Sequence, residues 1–234
     1  MYTFQSRIRY TELNHRKGMM NPSSIINYFQ DCSTFQSEDL NIGLNYLKKQ
    51  NRIWMLTSWQ LHIMKPCRMG ETIIVGTWPY AFKGFYGYRN FIMKNDRDET
   101  LAVADSIWVN MDLSTNTPVR ISAEDSGYVL EPPYPMEHFD RKIKIPDSLQ
   151  ALPSFPVMKS NIDSYSHVNN GQYIKMAEEF LPENFNVSVM RAEYRKQAVL
   201  GDIIHPMAAY GDNTCSIVLA NEAGNPYTIL EFIR

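Results

Sequence analysis

The sequence predicts an α+β protein built from two similar halves, each a long helix followed by antiparallel strands that wrap around it. Three observations carry this expectation. The chain has 234 residues, enough for two small domains with their own cores. Each half holds one amphipathic run opened by asparagines, at Asn21 and at Asn169-Asn170, a pattern that reads as a capped helix. Each run is followed by four segments rich in Trp, Tyr, Phe, Ile, Val or Thr, the composition of strands.

In the first half, Thr3 to Tyr10 alternates apolar and polar side chains and reads as a strand. Asn21 then caps a helix with Pro22 at its first position. Ile25, Phe29, Cys32 and Leu40 form its apolar face, and Asn41-Ile42-Gly43 ends it. Strands are expected at Ile53 to Met64, Glu71 to Ala81, Gly84 to Met93 and Thr100 to Met111. Pro66, Gly70, Lys83-Gly84 and Asn95-Asp96-Arg97-Asp98 mark the turns between them. Ser122 to Gln150 carries four prolines and the charged run Asp140-Arg141-Lys142, so it reads as a connection. In the second half, Val157 to Asn161 reads as a short strand, and the helix from Asn169 carries Tyr173, Ile174, Ala177 and Leu181 on one face. Strands follow at Val187 to Arg195, Asp202 to Tyr210, Cys215 to Ala220 and Tyr227 to Phe232. The expected boundaries are a first domain over residues 1–124, a linker over 125–150 and a second domain over 151–234.

The halves also match locally. Met20-Asn21-Pro22 parallels Val168-Asn169-Asn170, and Lys65 to Glu71 parallels Lys196 to Asp202 around a shared glycine. Aligning the helix starts sets His15, Lys17 and Met19 opposite Asp163, Tyr165 and His167. The first half then has no carboxylate at this place.

Composition narrows the function. The net charge is -2 and 44% of residues are hydrophobic, which describes a globular chain with no electrostatic reason to bind nucleic acid. Cys32, Cys67 and Cys215 are widely spaced and odd in number, so buried reduced thiols are expected rather than disulfides or zinc. His62, His138 and His205 form no metal-ligand spacing. No metal or other cofactor is expected. The amino terminus is polar and alternating, unlike a signal peptide, and no apolar run approaches the roughly 18 residues of a membrane helix. The expected protein is soluble and cytoplasmic, a monomer or a homodimer.

The densest run of reactive side chains is Asn161 to Tyr173, where a strand gives way to a helix. Backbone N–H groups and the helix dipole make such a junction positive. A carbonyl becoming an oxyanion would be stabilised there. Asp163 and His167 stand four residues apart on the entering loop. One can hold a water or accept a proton while the other orients or donates. A turn aspartate and a packing histidine account for the same residues from spacing alone. Asn169, Asn170 and Gly171 open the helix and are candidates to hold the substrate, although capping explains the asparagines as well. Trp54, Trp59, Trp78 and Trp108 read as core or sheet-face residues.

Asp163-Ser-Tyr-Ser-His-Val-Asn-Asn-Gly-Gln-Tyr-Ile174 resembles the catalytic motif of the plant and bacterial acyl-acyl carrier protein thioesterases, Asp-x-Asn-x-His-Val-Asn followed by Tyr. The likeness continues at Glu193-Tyr-Arg-Lys196. In the first half it covers the helix from Asn21, Ile53-Trp54, Gly70-Glu71-Thr72 with Thr77-Trp78, and Ser106-Ile-Trp-Val109. The resemblance implies a tandem hot-dog fold, an α+β arrangement in which the first repeat binds the acyl chain and the second does the chemistry. It implies hydrolysis of fatty acyl-acyl carrier protein to free fatty acid, with the acyl-loaded carrier protein as partner. Carried over by position, the family's Asp is Asp163 and its His is His167. Its Asn falls on Tyr165, its Glu on Gln197 and the neighbouring Cys on Ala198.

These departures bear on mechanism. Gln197 has no useful proton affinity and cannot be a general base, though it can hydrogen-bond a water or a carbonyl. Tyr165 offers a hydroxyl in place of an amide. Asp163 and His167 are then the ionisable pair of the motif, with Asp163 expected to activate water or attack, and His167 to position or protonate. Arg191, Arg195 and Lys196 are candidates to meet the acidic carrier protein. The alternatives are an acyl-CoA thioesterase with the same chemistry, or an acyl-binding protein that no longer cuts its ligand.

Overall fold

The computed structural model describes residues 1–14 and 18–234. They form two compact units, Met1–Glu137 and His138–Arg234. His15 and Lys17 lie outside the described residues.

Unit 1 runs β1 (Tyr2–Arg7), a 3-10 turn (Tyr10–Glu12), α1 (Pro22–Asp39), α2 (Leu44–Lys49), β2 (Arg52–Ile63), β3 (Thr72–Lys83), β4 (Tyr86–Asn95), β5 (Thr100–Asp112) and β6 (Thr117–Pro118). Its strands pair antiparallel in the order β1-β3-β4-β5-β2, with β6 against β5. α1 packs on β1 and β3. Its first half is buried, with Ile25, Ile26, Phe29 and Cys32 almost wholly hidden. Phe29 meets Phe91 and Trp59 at ring-centroid distances of 5.2 and 6.5 Å. Each such aromatic removed from water contributes about 2–3 kcal/mol. Leu40, expected on the apolar face, is 44% exposed. The helix has ended one residue earlier, and Asn41 takes a left-handed backbone (φ 60°) that turns the chain into α2.

Unit 2 runs β7 (Gln150–Ala151), β8 (Phe155–Pro156), a 3-10 turn (Lys159–Asn161), α3 (Asn170–Glu178), β9 (Val189–Tyr194), β10 (Ile203–Tyr210), β11 (Thr214–Ala220) and β12 (Pro226–Ile233). The strands pair antiparallel in the order β9-β12-β11-β10, with β7 and β8 on β10. α3 packs on β11 and β12 through Tyr173, Ile174, Met176 and Ala177. The expected strand over 157–161 is a 3-10 turn instead. Leu181 also falls outside the helix, because Pro182 disfavours helical backbone at the residue before it. The α+β expectation holds in both units.

The two halves share more than element order. In unit 1, Met20 N donates to Cys67 O (3.0 Å) and Ile8 N to Glu71 O (3.0 Å). In unit 2, Val168 N donates to Ala198 O (2.9 Å) and Val157 N to Asp202 O (2.8 Å). Both turns use a glycine with positive φ, Gly70 at 80° and Gly201 at 90°, where a Cβ would be strained. The hydrogen bonds also correct the register between repeats. Asn14 N donates to Met19 O as Asp163 N donates to His167 O, each at 2.8 Å. Asn14, not His15, is therefore the counterpart of Asp163. The first loop is one residue longer, which an alignment from the helix start does not reveal.

Residues 128–149 carry no helix or strand, yet they are docked. Trp78 Nε1 donates to Pro132 O (2.9 Å) and Tyr134 N to Asn90 Oδ1 (2.9 Å) in unit 1. In unit 2, Ile143 is 2% exposed, packs on Val218, Ala220 and Ile229, and donates its N–H to Glu193 Oε2 (2.8 Å).

All three cysteines are free and buried. Burial pushes the thiols of Cys32 and Cys67 up to about 12 and that of Cys215 to about 11. A raised thiol pKa means less thiolate at neutral pH, and thiolate is the form that reacts. Iodoacetamide at pH 8 should label none of them in the native protein and all three after unfolding, as read by intact mass. Native labelling at the rate of a free thiol would contradict this packing.

Candidate active site

The loop between the second 3-10 turn and α3 is closed by its own backbone. Ile162 bridges Val168, Asp163 N donates to His167 O (2.8 Å), and Ser166 N donates to Asp163 O (3.1 Å). Ser166 adopts φ 65° to complete the turn. The Asp163 carboxylate holds this shape from inside. Its Oδ1 accepts the N–H groups of Tyr165 (2.8 Å) and His167 (3.3 Å). Aspartate suits the position because its short side chain reaches the backbone two residues on. Among the described residues, Oδ2 of the same carboxylate accepts no hydrogen bond.

His167 follows on a segment that bridges Val199. Its Nδ1 is buried without a hydrogen-bond partner, whereas Nε2 is not among the buried unpaired atoms. Asp163 therefore holds the His167 backbone, not its imidazole Nδ1. Tyr165 is half-buried on the same loop. Gln197 comes from the strand-like segment alongside and is also half-buried. The structure thus brings Asp163, Tyr165 and His167 onto one loop, with Gln197 carried beside it by the Val168–Ala198 and His167–Val199 pairings.

Tyr173 locks that pairing from below. It is 2% exposed, and its hydroxyl oxygen accepts the Ala198 N–H at 2.7 Å. Burial raises the hydroxyl pKa, only partly opposed by that N–H, while the Asp163 and Asp202 charges push it the same way as burial. Tyr173→Phe leaves a buried N–H unpaired, and should lower stability by about 1–3 kcal/mol in chemical denaturation. Unchanged stability would show that the bond contributes nothing.

The helix start is capped by a side chain. Asn169 Oδ1 accepts the Gly171 N–H (2.9 Å), and Asn169 N donates to Asn161 O (2.9 Å). Asn170 O accepts the Tyr194 hydroxyl (3.0 Å). Gly171 is buried and its N–H is engaged by the cap, so residues 169–171 shape the helix terminus. The positive end of the α3 dipole, equivalent to about half an elementary charge, lies at this terminus.

Residues 1–126 match the model of the acyl-ACP thioesterase N-terminal domain, and residues 147–228 match that of the acyl-ACP thioesterase C-terminal domain. The chain belongs to the acyl-ACP thioesterase family. It is 27% identical over 179 residues to the chloroplastic palmitoyl-acyl carrier protein thioesterase of Gossypium hirsutum, a match covering 70% of this chain and 43% of the relative. It is 29% identical over 200 residues to the Arabidopsis thaliana protein of the same name, covering 75% and 48%. The chain thus spans just under half the length of these relatives. Among solved structures, an acyl-ACP thioesterase from Bacteroides thetaiotaomicron superposes with a TM-score of 0.90 at 19% identity, covering 99% of this chain and 96% of that one. The 12:0-ACP thioesterase from Umbellularia californica superposes at 0.84 with 17% identity, over 99% and 96%. These likenesses show the tandem hot-dog fold.

Within this chain, the basic side chains expected to meet the carrier protein divide. Arg191 is paired with Glu231 (2.7 Å), donates to Asp140 O (2.6 Å) and lies over the Phe139 ring, so it packs the connecting segment. Arg195 is 39% exposed and pairs with Glu193 (2.9 Å), and Lys196 is exposed over the Tyr227 ring. Asp202 is a site-shaping residue that sequence reasoning missed. Its Oδ2 accepts from Val199 N and from the Tyr227 hydroxyl, both at 3.0 Å, as Glu71 Oε2 accepts from Arg68 N (2.9 Å) in unit 1. Burial and this hydrogen bond hold the Tyr227 pKa up at about 12. The repeated Gly-acid pair was the signal that could have found it. Among the described residues, no group of three His, Cys, Asp or Glu is placed to hold a metal ion, and no helix is long and apolar enough to cross a membrane.

Proposed function

We propose that this chain hydrolyses the thioester of fatty acyl-acyl carrier protein, releasing free fatty acid and holo-acyl carrier protein in fatty acid biosynthesis. The observation that carries it is the division of labour within Asp163. One carboxylate oxygen fixes the loop that leads into α3, and the other accepts no hydrogen bond among the described residues. In this reading Oδ2 takes a proton from water as the water oxygen bonds to the thioester carbon. The C–S bond then breaks, and the departing thiolate is protonated. His167 positions the carbonyl or supplies that proton. Gln197 and Tyr165 hydrogen-bond the water or the carbonyl oxygen. The first unit, where Asn14 replaces the acid, holds the acyl chain and the second does the chemistry. Arg195 and Lys196 meet the carrier protein. Three buried reduced cysteines fit a reducing compartment such as the cytoplasm, with the chain acting as a monomer or a homodimer.

Comparing kcat/KM for a panel of acyl-acyl carrier proteins with that for the matching acyl-CoA esters tests the donor. The expected result is a clear preference for the carrier protein. Equal or higher values for acyl-CoA would reassign the substrate. Gln197, which makes no hydrogen bond among the described residues, favours a second reading in which the acyl chain is held without being cut. If the wild-type chain is silent and Tyr165→Asn with Gln197→Glu awakens hydrolysis, that second reading is correct.

A further inference from the structure

Unit 2 carries a ridge of exposed aliphatic side chains. Met158, Val199, Leu200 and Ile203 are each between 43% and 57% exposed. The backbone gathers them. Val157 N donates to Asp202 O (2.8 Å), and Pro156 pairs with Ile203. Met158 keeps an extended backbone, so the period of two sets it on the face that carries Ile203. Between them the chain reverses over Val199 to Asp202, where Asp202 N donates to Val199 O (3.1 Å) and Gly201 has φ 90°. Leu200 takes the corner of this turn. The ridge starts at the candidate active site, because Val199 bridges His167.

The first repeat shows that the turn folds without these residues. Met19 bridges Arg68 there as His167 bridges Val199. Arg68, Met69 and Thr72 therefore stand where unit 2 has Val199, Leu200 and Ile203. The bond from Ile8 N to Glu71 O likewise sets Arg9 where unit 2 has Met158. Of these, only Met69 is aliphatic. The aliphatic ridge belongs to the repeat that carries Asp163, and folding alone does not require it.

Single exposed aliphatic residues need no explanation, whereas a cluster of them marks a surface that meets a partner. Charge selects among partners. Lys159 follows Met158, and Lys196 leads into the Val199 turn. Both lysines are exposed and form no ion pair among the described residues. Tyr227 ties Lys196 to the turn, since its ring lies under the Lys196 Nζ and its hydroxyl donates to Asp202 Oδ2 (3.0 Å). The same Oδ2 accepts Val199 N (3.0 Å), so the carboxylate of the turn is engaged internally. The surface is aliphatic in the middle and bordered by positive charge. Two copies docked face to face here would bring like charges together, while an acidic protein is attracted. We propose that this ridge is the docking surface for the carrier protein, with Leu200 and Met158 at its apolar centre and Lys159 and Lys196 on its rim. The proposal rests on the carrier-protein reading above. It adds that aliphatic contact selects the partner together with the basic side chains. A carrier protein seated here holds its thioester arm beside the loop of Asp163 and His167.

Holo-acyl carrier protein, which has no thioester to cut, separates docking from hydrolysis. Calorimetry should show it binding the wild-type chain. Leu200→Ser and Met158→Ser should each weaken that binding at least about tenfold, with the melting temperature unchanged because both side chains are exposed. With acyl-acyl carrier protein as substrate, each variant should raise KM by the same factor and leave kcat as it is. An acyl-pantetheine thioester, which lacks the protein, should be hydrolysed alike by variants and wild type. Should no substrate be hydrolysed at all, the hydrolysis reading fails, and binding of the holo-carrier protein still decides the ridge. The proposal is overturned if the holo-carrier protein does not bind, or if both variants bind it like the wild type. It is also overturned if the variants lose acyl-pantetheine hydrolysis in equal measure. Wild-type binding to phosphatidylglycerol vesicles that Leu200→Ser abolishes, with carrier-protein binding intact, would reassign the ridge to a lipid surface.

Discussion

Asp163→Asn is expected to lower turnover by at least about a hundredfold while leaving the fold and its stability nearly unchanged. The asparagine carbonyl oxygen can still accept the Tyr165 and His167 N–H groups that Asp163 Oδ1 now holds. The amide nitrogen that replaces Oδ2 cannot take a proton from water. Asp163→Ala removes both functions, so it should lose the same activity and also about 1–2 kcal/mol of stability, because two backbone donors lose their acceptor. Denaturation of the two variants beside the wild type separates the roles. Full turnover in Asp163→Asn would reduce this residue to a turn former.

His167→Leu is expected to cost about a hundredfold or more in turnover and to leave stability level or raised. The buried Nδ1 makes no hydrogen bond, so removing the imidazole breaks no partner and relieves an unpaired polar atom. A residue whose loss harms turnover but not folding is held for function. The opposite pattern, a less stable protein with turnover intact, would make His167 a packing residue.

The long strands and the helices α1 and α3 were legible in the sequence through their periods, near 3.6 in α1 and near 2 in β1, whereas α2 and the two-residue strands β6, β7 and β8 were too short to carry one. Limits set by proline and glycine chemistry were partly legible. Pro182 cut α3 short of Leu181, a boundary the apolar pattern alone overran. Ile143 sat in a proline-rich, charged stretch and gave no periodic signal, yet it is part of the second core. The site loop shows why two readings of one residue need not compete. Asp163 reads as a turn aspartate or as a reactive carboxylate, and its two oxygens allow both. Whether a histidine nitrogen finds a partner depends on side chains far away in sequence, so it was not legible. The departures at Tyr165 and Gln197 were plain from the motif.

The most direct test of the central claim is mass spectrometry of a fatty acyl-acyl carrier protein incubated with the wild-type chain. Hydrolysis in the second unit predicts holo-carrier protein and free fatty acid appearing in equal amounts, each at a rate proportional to added protein. A carrier protein that is bound but keeps its acyl group would contradict it.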